Sequence, residues 1–260
     1  MLTAHDLVFQ AGKRALVDRA SVSLAPGEVV AVLGENGAGK STLLRLLAGE
    51  RAPHAGTITL DGTPLACFSA AALARRRAVL PQDTRVAFGY SALEVVLLGR
   101  YPWTHGAPGS GDVALARAVL ARVDAAHLES RLITTLSGGE RARVHLARTV
   151  VQLVGDTPDA RFLLLDEPTA SLDLAHQHLA LGLVRELARE RRTGVLAVLH
   201  DLNLAAQYAD RILLLKQGRV VADGAPDAVL SESLVSFAFS VRALVVPHPA
   251  GGRPLVVTTP

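Results

Sequence analysis

The chain has 260 residues, half of them hydrophobic, enough to enclose one large core or two small ones. Its formal charge is +3, and its 24 arginines and 3 lysines are scattered rather than gathered into a tail or stripe, so nucleic acid is not an expected partner. A single cysteine, Cys67, excludes an internal disulfide framework and points to a reducing compartment. The start lacks a leader pattern and no apolar run reaches about 18 residues, so any membrane part of the work is expected to lie in another chain.

Residues 3–10 and 20–25 are expected as strands leading to a continuous apolar run, Val29-Val30-Ala31-Val32-Leu33, of buried-strand length. Gly34-Glu35-Asn36-Gly37-Ala38-Gly39-Lys40-Ser41 follows and reads G-x-x-x-x-G-K-S. Ser41 to Ala48 then has the spacing of a helix hiding Leu43, Leu44 and Leu47. Strand, glycine loop and helix together form the context of a phosphate-binding loop. Glycines let successive amides turn toward phosphate oxygens, and the helix N-terminus adds partial positive charge. Lys40 is placed to reach the β- and γ-phosphates, and the Ser41 hydroxyl to ligate Mg²⁺. Thr57–Leu60 alternates and ends in the turn dipeptide Asp61-Gly62, which suggests an antiparallel sheet beside this core. A short helix over 69–76 and a buried strand over 78–80 lead to Pro81-Gln82.

Residues 84–155 read as a mostly helical insert. Ser91 and Glu94 make a capping box that opens a helix to about Gly99. An aromatic-bearing loop follows over 101–111, and 112–123 again has helical apolar spacing. Within the insert, Leu136-Ser137-Gly138-Gly139-Glu140 combines a capping box with two glycines in the first turn. Each glycine costs about 1 kcal/mol against alanine there, which suggests that the bare amides are used by an anion.

From Arg161 the strand–helix alternation returns. Phe162-Leu163-Leu164-Leu165 is a buried strand that delivers Asp166 and Glu167 to the sheet's C-terminal edge, where ligands bind in open α/β sheets. Asp166 is placed to hold Mg²⁺, and Glu167 to orient or deprotonate an attacking water. A helix over 175–192, a strand over 195–199 ending at His200, a further helix, and a strand over 212–215 with a hairpin turn at Lys216–Arg219 follow. His176 and His178 read as surface residues, and 243–258 is β-rich. The alternation implies an α/β fold with a mainly parallel sheet.

Gly34–Ser41, Gln82, Leu136–Glu140, Phe162–Glu167, Ser171-Leu172-Asp173 and His200, in this order, resemble the ATP-binding subunits of ABC transporters over nearly the whole chain. The resemblance implies a P-loop NTPase (RecA-like) core over 1–83 and 156–260, with an antiparallel β-subdomain, and a helical subdomain over 84–155. It implies ATP and Mg²⁺ as ligands. Gly34, Glu35, Asn36, Gly37, Ala38, Gly39, Lys40, Ser41 and Thr42 would hold the phosphates, while Ser41, Asp166 and Gln82 would serve the metal. Lys40, Gln82, Glu167 and His200 are the implied catalytic set. Ser137, Gly138, Gly139 and Asp173 would meet ATP held by a second copy, so that ATP closes a homodimer and hydrolysis reopens it. Two transmembrane permease subunits would dock near residues 83–105, where Phe88, Tyr90, Tyr101 and Trp103 lie, and a periplasmic or extracellular binding protein would deliver substrate. The subunit would then be peripheral, on the cytoplasmic face of the cell membrane. The position that often stacks on adenine in this family falls at Ala11, with Phe9 nearby, so no standard adenine stack is expected. Within that family the chain most resembles importers of haem, iron chelates and cobalamin; Ala87–Ser91 followed by Glu94–Arg100, and the short insert Leu153–Pro158, lean to haem, with siderophore or cobalamin as the alternative. A soluble non-transport ABC ATPase is disfavoured because the chain has one cassette and no long coiled coil.

Overall fold

The computed structural model describes residues 1–83, 89–104, 107–155, 160–249 and 251–259. The chain opens with β1 (Leu2–Ala11), β2 (Arg14–Leu24) and β3 (Val29–Leu33), and α1 (Lys40–Leu47) follows the glycine loop. Next come β4 (Ala55–Leu60), β5 (Thr63–Pro64), α2 (Ala70–Arg76) and β6 (Arg77–Leu80). A helical stretch holds α3 (Ala92–Leu97), α4 (Ser110–Arg122) and α5 (Gly138–Gln152). The remainder is β7 (Phe162–Asp166), α6 (Leu174–Arg191), β8 (Gly194–Val198), α7 (Leu202–Tyr208), β9 (Arg211–Lys216), β10 (Arg219–Gly224), α8 (Pro226–Val229), α9 (Glu232–Phe239), β11 (Arg242–Pro247) and β12 (Pro254–Thr259).

The main sheet runs β10-β9-β3-β8-β7-β6, parallel throughout except for β10. A second, antiparallel sheet runs β2-β1-β4-β5, and β11 pairs with β12 as a hairpin. Every residue of β3, β7 and β8 is buried, as continuous apolar strands in a parallel sheet must be. Their side chains alternate between two cores. Val29, Ala31, Leu33, Leu163 and Leu165 face the layer that holds α3 to α7. Val30, Val32, Phe162 and Leu164 face α1 and the antiparallel sheet. A one-residue slip of any of these strands would exchange the two cores, so the register is firmly set. Because β3, β8, β7 and β6 are adjacent and parallel, Gly34, His200, Asp166-Glu167 and Gln82 emerge along one edge.

Several expected boundaries shift. β2 starts at Arg14 rather than near residue 20, because its whole length pairs with β1. The helix opened by Ser91 runs only to Leu97 and continues as a 3₁₀ turn, Leu98–Arg100. A Cβ at Gly99 would lie 2.2 Å from the Arg148 carbonyl oxygen, so glycine lets this turn lie directly on α5. The hairpin turn at Gln217-Gly218 forms with both residues at positive φ, as a two-residue type I′ turn requires. Trp103 packs beside the Arg75 and Arg100 guanidiniums and donates its indole N–H to the Gln152 carbonyl at 2.8 Å. Tyr101 is exposed, and Phe88 and residues 156–158 lie outside the described residues.

Candidate functional site

Gly39 caps α1 at φ 103° with no side-chain cap, and the first helical turn holds no acidic residue. Its amides are left for an external anion, the charge a helix N-terminus favours. Neighbouring backbone dictates two of the loop glycines. A Cβ at Gly34 would lie 2.2 Å from the Leu215 carbonyl oxygen, and one at Gly39 would lie 2.1 Å from that of Leu16. Lys40 is buried, and its Nζ donates to the carbonyls of Gly34 at 2.7 Å and Glu35 at 3.0 Å. Burial lowers the pKa of this ammonium, and the carboxylates of Glu167 and Asp166 pull the other way. A desolvated cation held by neutral carbonyls is a counter-charge for phosphate.

Asp166 ends β7 at 2% exposure and accepts a hydrogen bond from the Ser41 hydroxyl at 2.9 Å. Its pKa is raised by burial, and the Ser41 bond opposes the shift. The hydroxyl and carboxylate are hard oxygen donors of the kind Mg²⁺ takes. Among the described residues no group of three or more His, Cys, Asp or Glu gathers as a metal site. A cation here would complete its shell with phosphate and water oxygens, as Mg²⁺ characteristically does.

Glu167 has φ 54°, left-handed for a non-glycine residue. Such backbone costs about 1–3 kcal/mol and persists where the surroundings over-determine it. Here the Glu167 amide donates to the Val198 carbonyl at 3.2 Å. The turn aims the side chain at the ends of the two flanking strands. Gln82 Nε2 donates to Oε2 at 3.0 Å, and His200 Nε2 lies 2.6 Å from Oε1. The structure thus links Gln82, Glu167 and His200 directly, and Ser41 with Asp166 beside them.

Ser137 forms the expected capping box with Glu140 at the start of α5. At Gly138 a Cβ would meet only the Ser171 Cβ, at 3.9 Å, so space above the first turn is open. At Gly139 there is a nearer reason for glycine, since a Cβ would lie 3.0 Å from the Ser171 carbonyl oxygen. Asp173 caps α6. A cavity of about 580 Å³ opens between Gln82, Glu167, Gly138, Arg141 and Ser171. It does not reach Lys40 or Ser41, and among the described residues no hydrogen bond joins Ser137, Gly138, Gly139 or Asp173 to Gly34–Thr42.

Three neighbours escape sequence reasoning. Arg14, at the tip of the β1–β2 hairpin, donates to the Gly37 carbonyl at 3.4 Å. Phe9 is buried against His54 and below Arg51, while Ala11 is exposed, because the strand register shifts between Phe9 and Gln10. His176, expected on the surface, is half-buried between Asp173 and Asp124. His178 is exposed and bonds Tyr208. Regular alternation would put Phe9 and Ala11 on one face, and nothing local signals any of the three placements.

The ABC transporter family model matches residues 17–170. The hemin import ATP-binding protein of Gloeobacter violaceus is 48% identical over 258 residues, covering 99% of this chain and 94% of its own. Its counterpart in Myxococcus xanthus is 53% identical over 237 residues, covering 91% and 88%. In Deinococcus radiodurans the identity is 51% over 254 residues, covering 97% and 95%. Among solved structures, a chain of an inward-facing metal-chelate type ABC transporter superposes with TM-score 0.82 at 29% identity, covering 99% of this chain and 96% of that one. A dimeric bacterial ABC transporter cassette shares the fold at TM-score 0.76 and 24% identity, covering 87% and 99%.

Proposed function

Since this chain belongs to the ABC transporter family, we propose that it is the ATP-hydrolysing subunit of an importer that carries hemin. The observation that carries the ATPase reading is the Glu167 carboxylate held between Gln82 and His200, one residue beyond the buried Asp166–Ser41 pair. The hemin assignment is supported by relatives of that name that match the chain nearly end to end.

The division of labour follows from the chemistry of the side chains. Backbone amides of Gly34–Ser41 and the Lys40 ammonium bind and neutralise the triphosphate, with Glu35, Asn36, Ala38 and Thr42 completing the cradle. Ser41, Asp166 and Gln82 would hold Mg²⁺, whose charge offsets that of the phosphate oxygens. Glu167 orients the attacking water and accepts its proton, and His200 bonds the γ-phosphate. Ser137, Gly138, Gly139 and Asp173 have no bond to the loop of their own chain among the described residues, which supports their serving the ATP of a second copy. ATP then closes a homodimer around two nucleotides, and hydrolysis releases it. Residues 84–155 act as one helical unit beside the core. The segment 83–105 docks two permease subunits on the cytoplasmic face of the membrane, and a binding protein outside supplies the substrate. Ferric siderophore or cobalamin import is the second reading, favoured by the metal-chelate type of the transporter that superposes best among those given above.

Co-purification with the adjacent membrane subunits and reconstitution into vesicles tests this directly. Hemin presented with its binding protein is expected to raise ATP hydrolysis several-fold over cobalamin or a ferric siderophore. Stimulation by one of the latter alone would reassign the cargo, and no association with any membrane subunit would reject transport.

A further inference from the structure

The start of α6 is tied to α5 through His176, Asp124 and Arg143, none of which has a part in the ATPase machinery described above. Asp173 Oδ1 accepts from the His176 backbone amide at 2.9 Å, an ordinary N-cap. The His176 ring adds more. Its Nδ1 lies 2.8 and 2.9 Å from the two Asp173 oxygens, and its Nε2 lies 3.2 Å from Asp124 Oδ2. Asp124 is in turn bonded at 3.1 Å by Arg143, a buried residue of α5 that also donates to the Val123 carbonyl at 3.2 Å. The turn leading into α6 also touches α5, where Gly139 admits the Ser171 carbonyl.

From this geometry we infer that His176 is a positioning residue that fixes Asp173 relative to the Ser137–Gly139 turn of the same chain, so that both present themselves to a second copy in one register. The inference rests on the reading above, in which that copy meets both parts. Asp173 and Asp124 are 67% and 62% exposed, and exposed ion pairs add little to stability. The arrangement therefore acts on geometry rather than on folding energy. A misplacement of about 1 Å in a composite site can cost up to about 100-fold in rate.

The test uses the full chain. In a Glu167→Gln background, ATP affinity and the ATP-dependent dimer fraction are measured for His176 and for its Ala, Asn and Gln variants. Turnover is measured in the same four with Glu167 intact. Asn reproduces the Nδ1 contact and Gln the Nε2 reach. The inference predicts unchanged ATP affinity and melting temperature in all four. It predicts kcat about tenfold lower and a weakened dimer in H176A, with partial recovery in H176N or H176Q. An H176A protein that dimerises and turns over like the parent overturns the inference. So does one that loses ATP affinity and thermal stability together, since that marks a merely structural role. If the parent itself never dimerises with ATP, the composite-site reading has failed, and the defect is present without any change at His176.

Discussion

At the scale of single residues, Glu167 carries both a strained backbone and the most consequential side chain. Glu167→Gln keeps the shape but cannot accept a proton, so steady-state ATP hydrolysis should fall about 100-fold or more while ATP binding persists. A colourimetric phosphate assay beside a nucleotide-binding titration checks this, and near-normal hydrolysis in the variant would remove Glu167 from its role. Glu167→Gly relieves the positive φ and should raise stability by about 1 kcal/mol while abolishing turnover, as chemical denaturation would record. The glycine loop, Asp166 and Glu167 were legible in the sequence because their meaning lies in local order: apolar strand, then loop or acids. The φ of Glu167 was not, since the bond from its amide to Val198 depends on how β7 and β8 pair. His176 was hidden for the same reason, because its partner Asp124 is 52 residues away.

Among the elements, α5 shows how a cap is tied to pH. The Glu140 carboxylate accepts a hydrogen bond from the Ser137 amide, and this lowers its pKa below the ordinary glutamate range. A carboxylate depressed in the folded state stabilises above its unfolded pKa and loses that contribution as pH falls through the folded value. Comparing melting temperatures of the parent and Glu140→Gln between pH 7 and 3 should give a constant deficit near neutrality. The deficit should shrink as pH falls below the ordinary glutamate range and through the lowered folded value, beneath which the parent carboxyl is itself uncharged. A deficit independent of pH would mean that the carboxylate's charge is not involved. Ser137→Ala should cost about 1 kcal/mol in the same assay. The strands β3, β7 and β8 were readable from their unbroken apolar runs, whereas the start of β2 was set by pairing with β1, which no single run of residues encodes. Phe162, fully buried in β7, is predicted to cost about 3–5 kcal/mol on truncation to alanine, measurable by denaturant titration.

The whole molecule places Gln82, Asp166, Glu167 and His200 on one edge of the parallel sheet, and among the described residues no hydrogen bond joins the Ser137–Gly139 turn to the glycine loop Gly34–Ser41. In the proposed function a single copy holds one half of each site, and two copies complete both. The most direct check is the mass and nucleotide content of Glu167→Gln with Mg²⁺ and ATP, by light scattering and by counting bound nucleotide. The expected particle is a dimer holding two ATP molecules, which a bulky acid at Gly138 abolishes without loss of ATP binding to the monomer. A particle that stays monomeric at saturating ATP, or a Gly138→Glu chain that dimerises as before, would contradict it.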